Sequence, residues 1–82
     1  MSKECKNFEK FLKDNNIDYV FLINKFLVSH KGSYITCVHP DENKYKVLDF
    51  FEFKEIVKYS MEEAKEEILE RIKEMGPKEL SI

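Results

Sequence analysis

A chain of 82 residues makes one domain, 1–82, able to bury roughly 60 to 65% of its unfolded surface in a single modest core. With 43% hydrophobic residues, seven Phe and four Tyr it has the apolar content of a folded protein, and 37% charged residues give it a soluble surface. A net charge of -2 supplies no whole-molecule field toward nucleic acid or anionic lipid, so binding to either would need a local patch.

The basic residues are thirteen Lys and a single Arg, Arg71, a usage that fits an AT-rich genome. It disfavours phosphate recognition, because bidentate forks come from Arg. Cys5 and Cys37, with no secretion signal, are expected as free thiols in a reducing cytoplasm, although a bridge between them stays open at this point. The longest apolar-rich run, Tyr19 to Val28, is interrupted by Asn24 and Lys25 and is too short to span a bilayer.

In chain order, Ser2 is placed to cap a first helix that runs to about Asn15, with Cys5, Phe8 and Leu12 as an apolar stripe and Phe11 at its edge. Lys3, Lys6, Lys10 and Lys13 fall together on its solvent side. From Ile17 to His30 the residues suit strands, with Tyr19, Phe21 and Ile23 on one face and Val20 and Leu22 on the other. Asn24-Lys25 is read as a bulge in one long strand rather than a turn between two short ones. Lys31-Gly32 makes a two-residue hairpin, and its register pairs Val28 with Ile35 and Phe26 with Cys37.

His39 to Asn43 is the next turn, Lys44 to Phe50 the third strand, and Phe51 to Tyr59 a fourth strand despite a competing helical pattern. Ser60 and Glu63 then form a capping box, and Gly76-Pro77 ends the helix between them. Met61, Ala64, Ile68, Leu69, Ile72 and Met75 recur at helical spacing and need cover. Residues 77–82 make a short tail whose Leu80 and Ile82 dock or fray.

The expected fold is α+β: a helix, three or four antiparallel strands, and a C-terminal helix, with both helices on one sheet face. The order helix, three strands, helix resembles that of double-stranded RNA-binding domains. However, their last helix starts basic, whereas here the start reads Ser60-Met61-Glu62-Glu63-Ala64-Lys65-Glu66-Glu67, which repels phosphate.

No motif names a reaction. Cys37-x-His39 is half a metal site, without the four ligands at short spacings that structural zinc requires. Cys37, His39 and Asp41 would lie side by side on a strand rather than converge, which is poor geometry for nucleophilic catalysis. Two glycines leave no phosphate-cradling loop. Neither a catalytic residue, a metal nor a cofactor is expected.

What remains is surface. The expected function is non-enzymatic binding to a protein partner, as an inhibitor, adaptor or subunit, including a phage or mobile-element protein that blocks a host enzyme. The contact candidates are the acidic run Glu62, Glu66, Glu70 and Glu74 and the strand tyrosines Tyr34 and Tyr45, since Tyr offers apolar area with a polar tip. A homodimer is left open. The alternative is nucleic-acid or nucleotide binding through Lys3, Lys6, Lys10 and Lys13, with strand tyrosines stacking on bases.

Overall fold

The computed structural model describes residues 2–77, so the expected tail with Leu80 and Ile82 lies outside the described residues. The chain runs α1 (Lys3–Asp14), β1 (Asp18–Leu22), β2 (Lys25–His30), β3 (Ser33–Asp41), β4 (Lys44–Asp49), β5 (Lys54–Lys58) and α2 (Met61–Met75). The strands form one antiparallel sheet in sequence order, with five strands where the sequence predicts three or four.

Both helices begin at the serines that the sequence marks. Ser2 Oγ accepts the Cys5 N–H at 3.1 Å, and Ser60 Oγ accepts the Glu63 N–H at 3.1 Å. These bonds satisfy donors that a helix start otherwise leaves open. Glu63 reaches back to the Tyr59 N–H at 3.3 Å, one residue earlier than a strict capping box requires. Gly76 closes α2 at a φ of +84°, where a side chain would be strained.

The extra strand comes from Ile23-Asn24, which is a tight turn between β1 and β2 rather than the expected bulge. Leu22 pairs with Lys25 across it, and Ile23 sits there at a φ of +58° and 92% exposed. A β-branched residue in that conformation is an outlier, and no propensity rule points to it. Lys31-Gly32 forms the expected two-residue hairpin, with φ values of +54° and +79°.

The bulge falls two residues beyond that hairpin, and it shifts the expected register. Ser29 pairs with Tyr34, but Val28 pairs with Thr36 and Phe26 with Val38, so Ile35 is the additional residue. Strict alternation would send either Ile35 or Val38 to solvent; with the bulge both are fully buried. Cys37 is thereby turned away from the core.

β3 continues through His39, Pro40 and Asp41, which the sequence reading assigns to a turn; only Glu42 and Asn43 remain as the loop. Pro40 is tolerated because the pairing of β3 with β2 ends at Val38, beyond which the strand needs a ladder only toward β4.

The helices pack together on one face. Phe8 of α1 lies with its ring 5.4 Å from Phe26 and 6.1 Å from Tyr45, and Arg71 of α2 is bonded to Asp49 of β4. Cys5, Phe8, Leu12, Ile17, Phe26, Val28, Ile35, Val38, Val47, Ala64 and Ile68 form the centre of one core. Burial of this apolar surface drives the assembly.

Candidate functional site

Alternation along the strands defines the sheet's second face, the one no helix covers. Following the ladders across at one level gives Val20, Leu27, Cys37, Leu48 and Glu55. One step along, Leu22 stands opposite Lys25, and His39 opposite Lys46, which in turn faces Val57. Val20 is 45% exposed, Leu22 47% and Val57 37%, while Leu27, Cys37 and Leu48 are half-buried by their neighbours. Tyr34, opposite Ser29, adds a ring that is 54% exposed. The outcome is an apolar band across four strands, flanked by Lys25 and Lys46.

Along its Lys25 and Lys46 flank is a shallow hollow of about 250 Å³ lined by Lys25, Cys37, His39, Lys46, Leu48 and Glu55. Burial pushes the Cys37 thiol up, and Lys25 offsets this only in part. A raised thiol is held protonated at neutral pH and is a poor nucleophile. No hydrogen bond joins Cys37 to His39 or either to Asp41, whose carboxylate accepts the Glu42 N–H at 2.8 Å. Among the described residues no three His, Cys, Asp or Glu side chains are gathered to hold a metal ion. Cys37 is therefore a surface thiol and not the core residue its apolar neighbours suggest. Cys5 is buried beneath α1 on the opposite side of the sheet, and both cysteines are free.

The candidate contact residues separate. Tyr34 lies on the open face. Tyr45 points the other way, 7% exposed beside Phe8, and burial raises its phenol pKa, with help from Glu4 and Cys5. It is a core residue and leaves the surface set, because its place in β4 shares the parity of Val47 and Asp49.

The acidic run of α2 is partly neutralised within its own helix. Glu62 meets Lys65 at 3.3 Å and Glu74 meets Arg71 at 3.2 Å, whereas Glu66 and Glu70 are exposed and form no ion pair among the described residues. On α1, Lys10 pairs with Asp14 at 2.6 Å and Lys13 with Glu9 at 3.8 Å, while Lys3 and Lys6 are exposed. The Lys stripe is thus half balanced by its own carboxylates.

Val20, Leu22, Leu27, Leu48 and Val57, with Lys25 and Lys46, are the surface residues that sequence reasoning missed as a group. A turn assigned at Ile23-Asn24 would have aligned the first two with Leu27. No protein-family model, curated protein or solved structure matches this chain.

Proposed function

We propose that this chain is a small non-enzymatic protein-binding module, working as an inhibitor, adaptor or subunit through the open face of its sheet. The observation that carries this reading is the band of Val20, Leu22, Leu27, Leu48 and Val57 on the face that neither helix covers. Contiguous apolar surface rimmed by polar groups marks interaction sites, whereas isolated exposed residues do not. Lys25, Lys46 and His39 beside the band favour a partner with acidic residues around an apolar centre.

The acidic stripe of α2 is the weaker surface, since two of its four glutamates are engaged within the helix. Nucleic-acid binding through α1 is weakened in the same way, because Lys10 and Lys13 each face a carboxylate. The test is affinity capture from the source cells with the wild-type chain and with a Leu22→Lys, Val57→Lys variant that retains its circular dichroism spectrum. A partner recovered stoichiometrically by the first and lost by the second supports the open face. Equal recovery by both would move the contact elsewhere.

A further inference from the structure

The two helices leave a cleft where α1 ends. It is lined by Ile17 and by Leu69 and Ile72 of α2, together with Asn16, His30 and Pro77. Ile17 is buried, but Leu69 keeps 43% of its surface exposed and Ile72 is only half-buried, so the apolar face of α2 is incompletely covered here. The cleft measures about 230 Å³, below the roughly 300 to 1,000 Å³ typical of small-molecule sites. It suits an aliphatic side chain better than a ligand.

The chain leaves α2 at the rim of this cleft, and its exit is fixed. Gly76 turns the backbone at a φ of +84°, and its carbonyl lies 2.6 Å from His30 Nε2, while Lys31 Nζ holds the Met75 carbonyl at 2.8 Å. Pro77, which itself lines the cleft, follows with a ring-restricted φ. The sequence then continues Lys78-Glu79-Leu80-Ser81-Ile82. Leu80 is the first apolar side chain after Pro77, and three residues of fully extended chain span at most about 11 Å. It is therefore tethered within reach of the cleft at an effective concentration in the millimolar range, which a separate molecule would have to match.

We propose that residues 78–80 fold back across the end of α2 and that Leu80 fills the cleft, in contact with Ile17, Leu69 and Ile72. Burial of Leu80, and of the part of Leu69 that it covers, drives the contact. The cost in order is small, because Gly76 and Pro77 are already held and only three further residues are fixed. Lys78 and Glu79 keep their charges in water. The tail thus closes the seam that the side chains of the two helices leave open. Since the cleft lies on the helix side of the sheet, this inference is independent of any partner of the open face.

The test is nuclear Overhauser spectroscopy on the chain with its Leu and Ile methyl groups labelled, with urea unfolding of Leu80→Ser and Ile82→Ser beside it. The expected results are cross-peaks from Leu80 to Leu69 and Ile72, shifted Ile17, Leu69 and Ile72 methyl resonances in L80S, and a lower urea midpoint for L80S than for I82S. Leu80 methyl groups without cross-peaks to α2 would overturn the proposal, as would equal midpoints for the two variants, or resonance changes caused by I82S in place of L80S. Cross-peaks seen only between labelled and unlabelled copies in a mixed sample would put the tail of another copy in the cleft, and would overturn it equally. The wild-type cross-peaks decide the question even if L80S fails to fold.

Discussion

The twelve residues of α1 bury Cys5, Phe8, Phe11 and Leu12, whereas the fifteen of α2 fully bury only Ala64 and Ile68, with Met61, Ile72 and Met75 packed at the margin. What α2 lacks in volume it makes up in polar ties to the sheet. Arg71 bonds to Asp49, Glu67 approaches Lys58 at 4.0 Å, and Lys31 Nζ donates to the Met75 carbonyl at 2.8 Å. His30, buried at the end of β2, lies with Nε2 2.6 Å from the Gly76 carbonyl, a contact that requires the proton on Nε2. The comparison separates two ways of closing one core. α1 is held mainly by shape and dispersion, which salt leaves alone, and α2 is held at its rim by charges and carbonyls, which depend on protonation and partner identity.

The largest expected effect lies on the apolar side of this comparison. Phe8 touches the rings of Phe11, Phe26 and Tyr45 and has no exposed surface. Phe8→Ala should cost about 3 to 5 kcal/mol through lost transfer energy and the cavity left behind. Urea unfolding measures it, and a loss below about 1 kcal/mol would mean that α1 is not the principal cover of the sheet.

The polar side is tested at Asp49 and Arg71. Asp49 is fully buried; its carboxylate also accepts the Phe51 N–H at 2.8 Å, while the guanidinium stacks 5.5 Å from the Phe51 ring. Burial alone would lower the Arg71 pKa, but Asp49, Glu74 and Glu67 together raise it, so its charge is secure. Arg71→Leu leaves a buried carboxylate without its counter-charge and should cost about 3 kcal/mol. Adding Asp49→Asn, which removes the charge but keeps an acceptor for Phe51, should restore most of that loss. A double variant no more stable than Arg71→Leu alone would show that Arg71 acts through packing and not through its charge.

The fold was legible wherever a residue type is tied to one local job. Ser2, Ser60, Gly32 and Gly76 announce caps and turns because their backbone geometry or side-chain oxygen has few substitutes. Ile23 announces nothing, since a β-branched residue is the last expected in a left-handed turn, and β1 and β2 are fused in the sequence reading for that reason. The bulge at Ile35 is equally silent: the register without it sets apolar beside apolar at both Val28 and Phe26, whereas the observed one sets Val28 beside Thr36, and only the burial of Ile35 together with Val38 decides between them. The expected register sets Cys37 beside Phe26, which is why Cys37 reads as core and the band from Val20 to Leu48 goes unnoticed; Tyr45 reads as surface for another reason, because its shared parity with Val47 and Asp49 in β4 is left out of that reading.

α1 also has a polar tie to the sheet, and it gives a smaller, pH-dependent effect. Tyr19 Oη donates to Glu9 Oε2 at 2.8 Å. Burial, the bond to Glu9 and the charge of Glu9 push the phenol pKa up from 10.0 to about 12. A raised phenol pKa means that the folded state holds its proton longer than the unfolded chain does. The contribution to stability is therefore complete below pH 10 and is lost as the pH rises toward about 12. Tyr19→Phe should remove that alkaline decline while leaving the slope at lower pH unchanged. An identical decline in both proteins would place the sensitive group elsewhere.

The smallest effect concerns the acidic stripe, the surface on which the charge-dependent character of α2 is most visible. Glu62, Glu66, Glu70 and Glu74 follow one another at four-residue steps, where each like-charged pair disfavours a helix by roughly 0.2 to 0.5 kcal/mol. The end members are relieved by Lys65 and Arg71, which leaves Glu66 and Glu70 as the pair whose repulsion is uncompensated among the described residues. Glu66→Lys with Glu70→Lys replaces the repulsions toward Glu62 and Glu74 by attractions. The double variant should therefore melt slightly higher, by a few tenths of a kcal/mol at low salt, with the gain fading as screening rises. If the stripe is only a solvated face, nothing else changes, and any partner captured by the open sheet is retained. If it is a contact for a basic partner, the same substitutions slow association, most visibly at low salt. Measuring stability and capture on one variant thus separates a charge pattern that the helix merely tolerates from one kept for an opposing charge.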